Sequence, residues 1–240
     1  MFTHYRSQAF ILKKVDRGET DRLFTVYTKD FGKLELLARA VRKIKSKLRA
    51  GLEIFYLSEI EFIQGKAQKT LTDAILIDGF KTLRRDLARL VVARKIAEVF
   101  DDLVRGQEKD ERLWRLLAGT FKKLDAENLK PGTRDLTYHF FIWNFLSLLG
   151  YQLDLYHCSS CQKKLVPENI YFGQKEKGLI CNSCQGTVKP DKLLVLPLDA
   201  IKIIRILLKK DWAVLGRLKI GAEDFVSLKM ISNHYLRQIE

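Results

Sequence analysis

The stretch Leu23-Phe24-Thr25-Val26-Tyr27-Thr28, the turn Asp30-Phe31-Gly32 and the run Leu34-Glu35-Leu36-Leu37-Ala38 read as two short β-strands joined by a tight turn. β-Branched and aromatic residues fill the runs, and Asp and Gly break them. Upstream, Phe10-Ile11-Leu12 begins another strand. Downstream, between Ile54 and Ile63, Glu59 and Glu61 alternate with Ile60 and Phe62, the period of two of a half-buried strand. Gln64-Gly65-Lys66 reads as a loop leading to a last run, Leu71 to Ile77. Five strands in about 70 residues predict a small barrel, and an OB-fold is one way to close it. Periodicity alone leaves an SH3-like barrel equally open.

After Gly79 the period changes to that of a helix. Leu83, Leu87, Leu90, Val91, Ile96, Ala97, Phe100 and Leu103 predict one amphipathic helix ending near Gly106. Trp114, Leu117, Phe121 and Leu124 mark a second. Lys130-Pro131-Gly132 punctuates before a third, Arg134 to Leu149, which stops at Gly150. That third helix carries Tyr138, Phe140, Phe141, Trp143 and Phe145; so many large apolar groups on one helix predict a buried central element. Residues 151–192 are short, polar and turn-rich. Helical spacing resumes from Pro197 through Leu208, Trp212 to Leu218 forms a short element, and Phe225 to Leu236 a final helix.

The chain has 240 residues with 43 Lys and Arg against 29 Asp and Glu, a formal charge of +14. The surplus is five in residues 1–80, four in 81–150 and five in 151–240, so it belongs to the whole body and not to a tail. A charge well beyond the usual value of about 2 to 8 for a small soluble domain makes a polyanion the leading class of partner. The N-terminus Met1-Phe2-Thr3-His4-Tyr5-Arg6 lacks a basic segment followed by an apolar one, so the expectation is no export. Apolar runs such as Ile203 to Leu208 are broken by charge, which predicts no membrane span.

All four cysteines fall in Cys158-Ser-Ser-Cys161 and Cys181-Asn-Ser-Cys184. Two Cys-x-x-Cys knuckles a hairpin's length apart can bring four thiolates around one tetrahedral metal. A redox dithiol needs only one pair, and an iron–sulfur cluster is less suited to this ribbon-like spacing than zinc. Four protein ligands leave no open coordination position, so Cys158, Cys161, Cys181 and Cys184 predict a structural Zn²⁺ site. Neighbouring His157 then falls outside the ligand set. A cytosolic metal site also fits this sparse cysteine usage better than a secreted disulfide scaffold.

The densest charge is Arg39-Ala-Val-Arg42-Lys43-Ile-Lys45-Ser-Lys47-Leu-Arg49, six basic residues in eleven with no acid. It follows the third strand and precedes Gly51, so it lies on a connection at the barrel rim. Neutralising six phosphates would give a salt slope of roughly −5. The plainer reading is a solvated face with Val41, Ile44 and Leu48 tucked beneath it, and the two are compatible. Lys13, Lys14, Arg17, Arg22 and Lys33 could extend the patch, although Asp16, Glu19 and Asp21 are interleaved with them. Phe24, Tyr27 and Phe31 are either base-stacking platforms or barrel core.

No catalytic constellation stands out. Gly173 and Gly178 have Walker spacing but continue Leu179-Ile180, and no nucleophile elbow or His-Glu-x-x-His occurs. The acidic groups Asp101-Asp102 and Glu108, Asp110, Glu111 are the nearest candidates for Mg²⁺ in a nuclease. A zinc-ribbon protein associated with transcription is a further alternative.

The run Gly18 to Thr28, then Phe31-Gly32-Lys33, Ala38 to Lys43 and Ser46-Lys47, resembles the N-terminal signature of the RecO family of bacterial recombination mediators. Leu149-Gly150-Tyr151 followed by the two knuckles is similar to that family too, so the resemblance spans essentially the whole chain. It implies an α+β multidomain chain: a five-stranded OB-fold DNA-binding domain at 1–80, an all-α domain at 81–150 and 193–240, and a four-cysteine zinc-binding insertion at 151–192. It further implies a cytoplasmic, nucleoid-associated protein, not an enzyme, that binds single- and double-stranded DNA and anneals complementary strands. With RecR, such a protein helps RecA replace single-strand-binding protein. Motif positions would put Arg22, Lys33, Arg39, Arg42, Lys43 and Lys47 near DNA, and the charge reading adds Lys45, Arg49, Lys13 and Lys14. The acidic C-terminal tail of single-strand-binding protein would dock on the helical domain, where Lys202, Arg205, Lys209 and Lys210 lie near Ile201, Ile204 and Leu208. Family members do not all keep the cysteines, which implies that zinc serves the insertion and not the shared activity.

Overall fold

The computed structural model describes residues 3–65, 68–173, 176, 178–187 and 193–239. Lys66 of the expected loop, and residues 188–192 of the expected insertion, lie outside this set. The chain divides into two compact units, residues 1–129 and 130–240.

The first unit is built on β1 (His4–Arg17), β2 (Asp21–Thr28), β3 (Gly32–Ala38), β4 (Leu57–Gln64) and β5 (Lys69–Asp78). They close in the order β1-β2-β3-β5-β4, with β4 returning to β1. Only the β3–β5 pairing is parallel, Leu36 beside Lys69 and Leu37 beside Thr70. This antiparallel barrel with one parallel seam is the OB topology and removes the SH3-like alternative. β1 is far longer than the Phe10-Ile11-Leu12 core suggested. A bulge between Ile11 and Lys13 bends it, so one half pairs with β4 and the other with β2.

Inward-facing Ala9, Ile11, Phe24, Val26, Leu34, Leu36, Ile60 and Phe62 fill the barrel. β2 departs from strict alternation, because every residue from Leu23 to Thr28 is buried. Its outer face is covered by α2 (Leu87–Leu103) and α3 (Glu111–Asp125), against which the short α1 (Lys81–Arg85) packs. Tyr27 meets Phe100 edge-on at 4.7 Å, and Phe10 meets Trp114 and Phe121 at 5.0 and 5.3 Å. Phe24 and Tyr27 are therefore core and not stacking platforms, and half-buried Phe31 packs between Tyr5 and Phe62.

The single helix expected after Gly79 is two. Asp86 leaves helical geometry and accepts the amides of Ala88 and Arg89, an N-cap the apolar spacing did not reveal.

In the second unit, α4 (Pro131–Leu148) is central, with Phe140, Phe141, Trp143 and Phe145 all buried. Pro131 starts this helix instead of punctuating before it, because the first turn needs no proline N–H. Around α4 pack α5 (Leu198–Leu207), α6 (Trp212–Arg217) and α7 (Ala222–Leu236). Buried Ser232 binds the packing together: its hydroxyl donates to the Leu228 carbonyl and accepts from Trp143 Nε1 at 3.0 Å, and His139 Nδ1 lies within hydrogen-bonding distance of it, also at 3.0 Å. Between α4 and α5 lies a small antiparallel sheet in the order β7-β6-β8: β6 (Ile170–Gly173), β7 (Gly178–Cys181) and β8 (Leu193–Leu196). Sequence reading saw only polar turns here, because four-residue strands carry too little periodicity. Pairing of β8 with β6 carries the sheet past residue 192.

Candidate metal centre and basic loop

The metal centre begins at a turn. Gln162, at φ +60°, donates its amide to the Cys158 carbonyl at 2.8 Å, and the Cys158 amide donates to the Lys163 carbonyl at 2.9 Å. This curls Cys158 and Cys161 toward one point. The Ser159 amide donates to the Leu179 carbonyl of β7 at 2.7 Å, docking the first knuckle beside the strand that ends in Cys181. The following 3₁₀ turn, Asn182–Thr187, carries Cys184. A Cβ on Gly178 would collide with Ser159, so only glycine permits this approach.

All four sulfurs lie within 4.8 Å of one another, and Cys161 and Cys181 are 3.8 Å apart. A tetrahedron with metal–sulfur bonds of about 2.3 Å has edges of about 3.8 Å, so the donor set fits a metal ion. Burial resists ionisation of Cys158, yet amides of Cys161, Cys181 and Ser160 hold its thiol down to about 6. The sulfurs of Cys181 and Cys161 push Cys184 up to about 12. Such opposed thiols share protons as a group, and metal binding must release them. His157 is not a ligand; its Nδ1 lies 3.0 Å from Asp154.

The basic stretch is the β3–β4 connection. Ala40 takes φ +54° and donates its amide to Asp21 Oδ1 at 2.8 Å, while the Arg42 amide donates to the Thr20 carbonyl at 3.0 Å. The loop is thereby tied to the β1–β2 turn. The Ala40 amide and the Thr20 hydroxyl hold the Asp21 carboxyl below its ordinary value of 3.8. This tether is thus intact at neutral pH and weakens as pH falls through that depressed value. Val41 is buried in the barrel and Leu48 packs against it. Ile44 is not tucked beneath the charges as expected but is 93% exposed, because the turns from Ala40 to Lys43 and Lys43 to Ser46 carry it to the solvent side.

The ten predicted cations separate into two groups. Arg39, Arg42, Lys43, Lys45, Lys47 and Arg49 are brought together on this loop, all exposed. Of these six, only Arg42 forms an ion pair among the described residues, with Asp16 at 3.4 Å. The others are engaged in the fold. Arg22 pairs with Asp16 at 2.6 Å, Lys14 with Glu53 at 2.8 Å and Lys13 with Asp101 at 3.4 Å. Lys33 binds Asp101 at 2.6 Å and caps the carbonyls of Asp101 and Val104 at the end of α2.

Three of the five acidic residues weighed for Mg²⁺ are similarly committed, while Asp102 and Glu108 are exposed. Asp101 serves those lysines, Asp110 N-caps α3 and pairs with Arg112, and Glu111 pairs with Arg115. The four cysteines are the cluster with metal-binding geometry among the described residues.

In the second unit, Lys202 pairs with Asp199 at 2.8 Å. Arg205 stacks on Tyr156 with its guanidinium carbon 4.3 Å from the ring centre and donates to the Leu155 carbonyl. Arg205 and Lys209 line a cleft of about 500 Å³ with Leu153, Tyr156 and Leu208; Lys210 is exposed beside it. No helix of the described residues is long and apolar enough to cross a membrane.

The class these parts define is a modular protein with an OB barrel followed by a helical region bearing four cysteines able to hold a metal ion. Two family models match the chain in tandem: "Recombination protein O N terminal" over residues 1–80 and "Recombination protein O C terminal" over 84–238. The DNA repair protein RecO of Roseiflexus sp. (strain RS-1) is 31% identical over 236 residues, 98% of this chain and 81% of that protein. That of Dehalococcoides mccartyi (strain ATCC BAA-2266 / KCTC 15142 / 195) is 29% identical over 94% of this chain and 87% of its own length. The chain belongs to the RecO family of DNA repair proteins.

Proposed function

We propose that this chain is a non-catalytic recombination mediator that holds DNA on the β3–β4 loop and anneals complementary strands. The observation that carries this reading is the set of six exposed cations at 39–49, on a loop pinned to the β1–β2 turn and free of acids. Cations fixed on an ordered loop lower the repulsion between two phosphate backbones without reading sequence, so Watson–Crick pairing selects the partner strand. Of the ten cations, the six loop residues are the working set, and Lys33, Lys14, Lys13 and Arg22 serve the fold. In the salt dependence of binding to a single-stranded oligonucleotide, Arg42→Glu/Lys43→Glu should flatten the slope by about two. An unchanged slope places the DNA elsewhere.

The metal is Zn²⁺ in a structural role, a reading supported by the all-thiolate set of four donors, which fills a tetrahedral ion's coordination. We assign the family's partners RecR and single-strand-binding protein, with delivery of RecA to coated DNA, on family membership. Lys209, beside the cleft that Arg205 and Tyr156 shape, suits the acidic tail of single-strand-binding protein. Lys209→Glu should weaken binding of that tail peptide at least fivefold, and unchanged affinity excludes this contact.

A further inference from the structure

Ile44 is the most exposed of the large apolar side chains among the described residues, at 93%. Single exposed aliphatic residues are ordinary on protein surfaces, but three features separate this one. It occupies the tip of a loop that is otherwise anchored by hydrophobic Val41 and half-buried Leu48, so the apolar content needed to seat the loop is already met without it. It is held out by a hydrogen-bonded turn, the Ser46 amide donating to the Lys43 carbonyl at 3.0 Å; a turn that fixes its central residue presents the side chain at little entropic cost on binding. Its immediate neighbours Lys43 and Lys45, with Arg42 and Lys47 beyond, are all exposed cations.

An aliphatic tip between phosphate-binding cations is the arrangement by which some DNA-binding proteins unstack bases: cations hold the backbone on either side, and the apolar group enters the gap between base faces. We propose that Ile44 is an apolar wedge that packs against unstacked bases of a DNA strand held by Arg42, Lys43 and Lys45. The occupant is a nucleobase, since charge complementarity brings a polyanion to the loop and its only apolar surface in reach of Ile44 is the base. This inference rests on the reading of the loop as the DNA site. It adds a local role: the loop does more than screen phosphates, and it presents bases splayed for pairing with an incoming strand.

The test uses the full-length chain and an oligonucleotide carrying 2-aminopurine, whose fluorescence rises on unstacking. Ile44→Ala should keep the wild-type melting temperature, because the side chain is exposed. It should weaken binding roughly three- to tenfold with an unchanged salt slope, because no phosphate contact is lost, and it should remove the fluorescence rise. Ile44→Phe should retain both. If Ile44→Ala matches wild type in affinity and fluorescence while Arg42→Glu/Lys43→Glu loses binding, the loop holds phosphates alone and the wedge is wrong. If both variants match wild type, the reading of the loop falls with it.

Discussion

Lys33 and Arg89 show how a basic residue can be spent on architecture. Lys33, its side chain 19% exposed, serves the Asp101 carboxylate and the last carbonyls of α2. Buried Arg89 donates to the carbonyls of Leu124 and Ala126 where α3 ends. Both satisfy helix-end carbonyls that have no partner within their own helix. Lys33→Ala should therefore cost about 2 kcal/mol of stability in denaturant unfolding and leave the salt slope for DNA unchanged. A flattened slope in a stable variant would instead mark Lys33 as a phosphate contact. Sequence alone did not distinguish Lys33 from Lys43, because both are lysines beside a turn. Only the fold, by bringing Asp101 from 68 residues away, separates the cation that is used up from the one left free. The cysteines were legible for the opposite reason: their spacing is local, and the ligand set follows from it directly.

Among the elements, long ones announced themselves and short ones did not. α3 and α4 carry enough apolar residues at helical spacing to be read, and the alternation of Glu59, Ile60, Glu61 and Phe62 disclosed β4. The four-residue strands β6, β7 and β8 stayed hidden, as did the break at Asp86, which depends on a single side chain accepting two amides. That small sheet gives the knuckles their frame: Cys181 ends β7, and Ser159 is bonded to Leu179. Structural zinc contributes on the order of 10–16 kcal/mol to small finger peptides, ample to order such short strands. Treatment with a strong chelator should accelerate amide exchange in Ile170–Gly173 and Gly178–Cys181 and leave β1 to β5 protected. Loss of barrel protection on chelation would show that the metal supports the whole fold.

For the molecule as a whole, the five-stranded barrel was legible, and the particular seam that closes it was not, since the parallel β3–β5 pairing is long-range. Nor was it apparent that α1 to α3 share a core with the barrel. The signal was present in β2, whose uninterrupted burial reflects Phe10, Tyr27, Phe100 and Trp114 meeting on its outer side. The +14 charge, spread through the chain, includes cations that cap helices, cations paired with carboxylates, and a loop at 39–49 where exposed ones are concentrated. In the function proposed for it, this loop drives strand pairing. The most direct measurement is the rate at which complementary strands coated with single-strand-binding protein anneal, with wild-type protein and with Arg42→Glu/Lys43→Glu. We predict acceleration by the wild type and at least a tenfold loss of it in the variant, at unchanged melting temperature. Equal acceleration by the two proteins would contradict the claim.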